Sequence, residues 1–172
     1  MVKTKVPLIS IIGTSKSGKT TFIEKLIPVF TERGLRVATI KHHHLDFEID
    51  KVGKDTYKHK QAGSSTVILS SPYKIAVIRD VIKEIPLWDI VSRYIEDTDI
   101  IITEGYKKED APKIEIFREA KKTSPLCLHD ETILAVVTDK HIDTDIPQFS
   151  MDDVEGIAKF ISTVLRLGVK EF

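Results

Sequence analysis

The chain has 172 residues, 41% hydrophobic and 30% charged, which fits one soluble globular domain over residues 1–172 and excludes a disordered chain. Lysine plus arginine and aspartate plus glutamate number 26 each, so nothing marks nucleic acid or another polyanion as the main partner. The single cysteine, Cys127, rules out an intrachain disulfide and fits a reducing compartment, where a buried structural thiol is expected.

The first predicted element is an apolar strand, Leu8-Ile9-Ser10-Ile11-Ile12. It stops at Gly13 after about seven residues, well short of the ~20 that cross a bilayer, so neither a membrane span nor a signal peptide is expected. A cytoplasmic protein is the corresponding expectation. Directly after it come Gly13, Thr14, Ser15, Lys16, Ser17, Gly18, Lys19 and Thr20. Strand, then G-x-x-x-x-G-K-[ST], then helix is the arrangement that wraps a nucleotide triphosphate. The glycines allow a tight turn whose N–H groups point inward at phosphate oxygens, and the helix N-terminus adds to that field. Lys19 is expected at the β/γ oxygens and the Thr20 hydroxyl on Mg²⁺, with Thr21 completing the nucleotide-binding run.

The helix expected from near Thr21 carries Phe22, Leu26, Val29 and Phe30 on one face. Pro28 should kink it, and Gly34 should end it. A second strand, Leu35–Ile40, then implies a right-handed crossover and a parallel sheet. Lys41–Asp50 reads as a polar, histidine-rich loop and Gly53–Ala62 as a short polar helix ended by Gly63. Two β-rich runs, Thr66–Leu69 and Lys74–Ile78, flank Ser70-Ser71-Pro72-Tyr73 and predict an antiparallel hairpin. Both hairpin strands are apolar on two faces, so either burial within the monomer or self-association must cover them. A helix over Leu87–Tyr94 precedes the buried strand Ile100–Thr103, a shorter alternating strand Lys113–Phe117 and another buried strand, Ile133–Val137. The last helix begins after Ser150, expected to cap it with Asp153 answering three residues on.

In such a sheet, ligands sit beyond the carboxyl ends of the strands. Glu104 follows the Ile100–Thr103 strand and so shares an edge with the phosphate loop, whereas Asp99 should stand about 13–17 Å away at the opposite edge. Glu104 is therefore the expected acidic group near the metal or its water shell. Thr138-Asp139 and Lys41-His42-His43-His44 reach the same edge. Consecutive residues of an extended stretch alternate in direction, so His42 and His44 at most face one centre, and no Cys/His pair completes a zinc set. Solvated loop histidines, or hydrogen bonds to phosphate or a partner, are the expected alternatives. Asp55, with Thr56, is a candidate for orienting the attacking water or a Mg²⁺-bound water.

With these residues in place, the chain resembles the MobB family of molybdopterin-guanine dinucleotide biosynthesis adapter proteins. The resemblance is carried by Gly13–Thr20, by Lys41-His42-His43-His44-Leu45-Asp46-Phe47, and by Asp50 with Gly53-Lys54-Asp55-Thr56. It continues in Ala62-Gly63, Glu104-Gly105-Tyr106-Lys107 and Pro112-Lys113-Ile114-Glu115 with Arg118. It implies an α/β P-loop NTPase fold, mainly a parallel sheet flanked by helices, with an additional β-hairpin. It also implies a GTP-binding homodimer with weak intrinsic GTPase activity that assists the molybdenum cofactor guanylyltransferase and meets molybdopterin. Guanine discrimination falls to Asp139, since Thr138-Asp139-Lys140 stands where many GTPases carry Asn-Lys-x-Asp. Two other readings stay open: a P-loop kinase of a small metabolite, and a nickel-delivery GTPase using His42 and His44.

Overall fold

The computed structural model describes residues 6–121 and 123–168. They gather into two compact units, one formed by the chain up to His42 and from Arg93 onward, the other by His43–Ser92.

The first unit is built on β1 (Leu8–Ile12), β2 (Val37–Lys41), β5 (Ile100–Glu104), β6 (Lys113–Phe117), β7 (Ile133–Thr138) and β8 (Gln148–Ser150). They form one sheet in the order β2-β5-β1-β6-β7-β8, with every neighbouring pair parallel. The chain runs from β1 outward to β2 through helix α1 (Lys19–Glu32), and later crosses back over β1 to lay β6 on its other side. That reversal of strand order beside β1 opens a crevice at the carboxyl edge, the usual place for a ligand in this architecture.

One face of the sheet is sealed by Phe22, Leu26 and Phe30 of α1 and by Ile157, Ala158 and Ile161 of the last helix, α4 (Val154–Leu165). They pack on Ile9, Ile11, Ile100, Ile102, Ile114 and Ile116. Each buried leucine, isoleucine or phenylalanine among them contributes about 1.5–3 kcal/mol. The α1 pattern is thus as expected, and the helix continues through Pro28 to Glu32, with Gly34 in a left-handed conformation beyond it.

On the other face Ile12, Phe117, Ile133, Val136 and Cys127 form a smaller cluster. Burial pushes the Cys127 thiol up to about 11, helped by the neighbouring Glu115 carboxylate. The expected half-exposed alternation of β6 is not found: all five residues are buried, Lys113 and Glu115 included. The physical reason is position, since β6 lies between β1 and β7, together with satisfied polar ends. Lys113 donates to the Thr132 hydroxyl and stands 3.3 Å from Asp130. Glu115 accepts the backbone N–H groups of Leu126 and Cys127, both at 2.9 Å. Buried charge persists only when compensated in this way.

The cap of α4 also differs from expectation. Ser150 is in β8, paired with Thr138, and Asp153 caps the helix by accepting the Gly156 N–H at 3.0 Å. A Cβ at Gly156 would lie 2.4 Å from that carboxylate, so the glycine makes room for the cap.

The second unit contains α2 (Asp55–Gln61) and the antiparallel hairpin of β3 (Thr66–Ser70) and β4 (Ile75–Arg79). Gly63 closes α2 with φ of 102°. The hairpin turn is held by the Ser71 hydroxyl, which accepts the N–H groups of Tyr73 and Lys74. Val67 is buried, whereas Ile68, Leu69, Ile75 and Val77 are exposed. Helix α3 (Leu87–Tyr94) carries the chain from this unit back to the first. Among the described residues, no helix is long and apolar enough to cross a membrane.

Candidate functional site

The loop between β1 and α1 is shaped by backbone that side chains would spoil. Gly13 has φ of 145°, and a Cβ there would meet the Ile116 carbonyl oxygen at 2.4 Å and Ser17 Oγ at 2.8 Å. Gly18, at φ of 99°, starts α1, and Phe22 N–H donates to its carbonyl at 2.9 Å. Between them the Ser17 N–H donates to the Thr14 carbonyl at 3.3 Å, while the buried Ser17 Oγ has no hydrogen-bond partner among the described residues. A buried hydroxyl left unmatched is costly in a finished core and useful in a cradle awaiting a polar ligand.

Lys19 folds back over this loop, its ammonium donating to the carbonyls of Thr14 at 2.7 Å and Gly13 at 3.3 Å. Burial lowers its pKa, the positive charges of Lys107, Lys41 and Lys121 lower it further, and Glu104 opposes them. The site is therefore a concentrated positive field around one carboxylate, suited to a polyphosphate.

Thr20 and Glu104 meet, as the edge rule requires. Thr20 Oγ1 is 3.0 Å from both Glu104 oxygens, and Glu104, last residue of β5, is also 3.4 Å from the Lys41 ammonium. A hydroxyl and a carboxylate facing one another form a hard-oxygen pair of the kind Mg²⁺ takes beside a phosphate. Asp99, at the start of β5, is engaged elsewhere: it accepts Arg36 N–H, Nε and Nη2 donors at 2.8–3.0 Å. Those bonds hold its carboxyl down at about 2.

Arg118 is a member of the site to which sequence reasoning gave no role. It is the first residue after β6; its Nε donates to the Ser17 carbonyl at 3.0 Å, and its Nη1 lies 3.9 Å from Asp139. The rule that selected Glu104 would have found it, since β6 ends on the same edge. Asp139 is thereby brought near the loop, its Oδ1 accepting the Glu119 N–H at 3.1 Å. A cavity of about 370 Å³ is lined by Phe117, Glu119, Thr123, Pro125, Lys140, His141 and Ile142, the residues that follow Asp139 in the chain among them. Thr21 borders a smaller hollow, about 70 Å³, with Gly18 and Arg118.

The histidine run divides. The His42 N–H donates to the Glu104 carbonyl at 2.9 Å, and its ring lies 4.7 Å from that of Tyr106. His43 Nδ1 bonds the Leu45 backbone at 3.0 Å, in the second unit. No group of three or more His, Cys, Asp or Glu poised for a metal occurs among the described residues. Asp55 opens α2 in the second unit, exposed and 3.4 Å from Lys58. Its neighbour Thr56 donates to Asp50 at 2.6 Å, a bond that lowers the Asp50 carboxyl pKa.

Residues 8–139 match the family model described as molybdopterin guanine dinucleotide synthesis protein B. The chain is 39% identical over 163 residues to the molybdopterin-guanine dinucleotide biosynthesis adapter protein of Haemophilus influenzae, covering 94% of this chain and 91% of the relative. It is 36% identical to the Escherichia coli adapter protein of the same name, over 92% and 93% of the two chains. Among solved structures, a molybdopterin-guanine biosynthesis protein B superposes with a TM-score of 0.74 at 39% identity, over 92% of this chain and 99% of the other. The MobB homologue of Bacillus stearothermophilus shares the fold at a TM-score of 0.71 and 22% identity, over 92% and 97%. The loop, the parallel sheet with its added hairpin and these likenesses agree, and the chain belongs to the MobB family of molybdopterin-guanine dinucleotide biosynthesis adapter proteins.

Proposed function

We propose that this chain binds GTP with Mg²⁺ at Gly13–Thr21 and serves as an adapter for the guanylyltransferase that completes molybdopterin-guanine dinucleotide. The observation that carries the reading is the meeting of Thr20 and Glu104 beside the ammonium of Lys19. Thr20 and Glu104 would hold Mg²⁺ directly or through its water, and the ion would neutralise phosphate charge. Lys19 would exchange its loop carbonyls for phosphate oxygens. Ser17 Oγ and the loop N–H groups would supply the remaining donors.

The base is assigned to the end of the site at Asp139, whose carboxylate would accept the guanine N–H groups and so prefer GTP to ATP. Arg118 links that end of the site to the loop through the Ser17 carbonyl. Hydrolysis would be slow, in the range of roughly 10⁻⁴ to 10⁻² per second for unassisted P-loop proteins, with Glu104 as the carboxylate acting on water. Molybdopterin is the second ligand, and a second copy of the chain covers the exposed hairpin.

Calorimetry on Lys19→Ala tests the site. Tight GTP–Mg²⁺ binding should be lost while the fold survives. A variant that binds as the parent does would refute the assignment. Capture of a guanylyltransferase and a pterin from lysate, dependent on GTP, tests the adapter role.

A further inference from the structure

Lys41 ends β2 in register with Glu104 at the end of β5. The two side chains are unequal partners. That of Glu104 is 15% exposed and held between the Thr20 hydroxyl and Lys41, whereas that of Lys41 is 58% exposed. A solvent-washed ion pair is weak, and a four-carbon stem reorients readily. A multiply charged phosphate oxygen is a stronger acceptor than a carboxylate already shared with a hydroxyl.

We propose that Lys41 is the terminal-phosphate sensor of this site, exchanging Glu104 for an oxygen of the third phosphate when a nucleoside triphosphate is bound. The proposal rests on the nucleotide occupying the Gly13–Thr20 loop. Lys41 stands on the side of the loop marked by Thr20 and Glu104, and its charge is felt by Lys19. Lys107 and Lys121 add to the same field, but it is Lys41 that shares the Glu104 carboxylate with Thr20. The chain passes from Lys41 through His42, whose N–H is bonded to the Glu104 carbonyl, directly into the unit formed by His43–Ser92.

The experiment is calorimetric titration of the full chain with GTP and with GDP, each with Mg²⁺, comparing the parent with Lys41→Ala, Lys41→Arg and Lys121→Ala. Lys41→Ala should lose about ten- to a hundredfold in GTP affinity, the worth of one charge-assisted hydrogen bond, and keep its GDP affinity. Lys41→Arg should retain most of the GTP affinity, and Lys121→Ala should not discriminate the two nucleotides. Equal loss for GTP and GDP, no loss for either, or the same GTP-selective loss in Lys121→Ala would each overturn the sensor while leaving the nucleotide site standing. A parent protein that binds neither nucleotide removes both. Thermal melts of the variants, expected to match the parent because the Lys41 side chain is largely exposed, separate misfolding from lost recognition.

Discussion

The Thr20 hydroxyl lies 3.0 Å from each carboxylate oxygen of Glu104, although the two residues are 84 positions apart. Thr20 lies in the first turn of α1 and Glu104 closes β5, and the parallel pairing of β1 with β5 brings them to the same edge.

If that pair holds Mg²⁺, Glu104→Gln should weaken GTP binding in the presence of the ion by about tenfold or more. In a chelator the sign should reverse or vanish, because the variant removes a negative charge that repels phosphate. Calorimetry with Mg²⁺ and with EDTA separates the two conditions. Weaker binding in both would point to a distorted loop rather than to a metal ligand.

Gly13 and Gly34 both have positive φ, but only Gly13 is hemmed in by backbone. Gly34→Ala should cost about 1–2 kcal/mol, the strain of a left-handed alanine alone. Gly13→Ala must also push its Cβ away from the Ile116 carbonyl, so its cost should reach roughly 3 kcal/mol or more, with GTP binding lost. Urea unfolding of the two variants gives the comparison, and equal costs would contradict the packing described.

The Arg36–Asp99 pair sets an acid limit. The Asp99 carboxyl is held at about 2, below its ordinary 3.8, by the Arg36 donors. A depressed folded pKa stabilises fully above the unfolded value and is lost as pH falls through the folded one. Asp99→Asn should therefore melt below the parent at pH 6, and the gap should close between pH 4 and pH 2, as melts across that range would record. A gap independent of pH would show that packing, not charge, is responsible.

Ile68, Leu69, Ile75 and Val77 expose both sides of the hairpin to solvent in the single chain. A second copy covering them predicts a dimer of the 19.4 kDa chain, broken by Ile75→Lys with little change in the stability of the first unit. Sedimentation at micromolar concentration decides it. A parent that sediments only as a monomer ends this expectation.

Glu115 accepts two backbone N–H groups with its carboxylate while fully enclosed. A glutamine there turns an NH₂ group toward one of those donors, so Glu115→Gln should cost about 1–3 kcal/mol in urea unfolding. An unchanged midpoint would mean that the two N–H groups find other acceptors.

Local pattern carried much of this molecule. The P-loop spacing, the α1 stripe of Phe22, Leu26 and Phe30, the hairpin about Ser71 and the placement of Glu104 on the edge of the Gly13–Thr20 loop are consequences of periodicity, turn chemistry and strand direction. These are properties of a dozen residues at a time, and they survive without knowledge of neighbours. The full burial of Lys113 and Glu115 in the alternating strand is not legible locally, because Asp130, Thr132, Leu126 and Cys127, which compensate them, arrive from later in the chain. Ser150 was mistaken for a cap because it looks like one; its pairing with Thr138 is a long-range fact.

The amino-acid order alone thus determined a glycine-framed loop between strand and helix on a parallel sheet, since backbone freedom at Gly13 and Gly18 and the alternation of apolar residues act locally. Only tertiary structure decided what surrounds that loop. Strand order put Arg118 against the Ser17 carbonyl and Lys41 against Glu104, because β5 meets β2 on one side and β1 on the other, and β6 meets β1, only when the sheet is assembled.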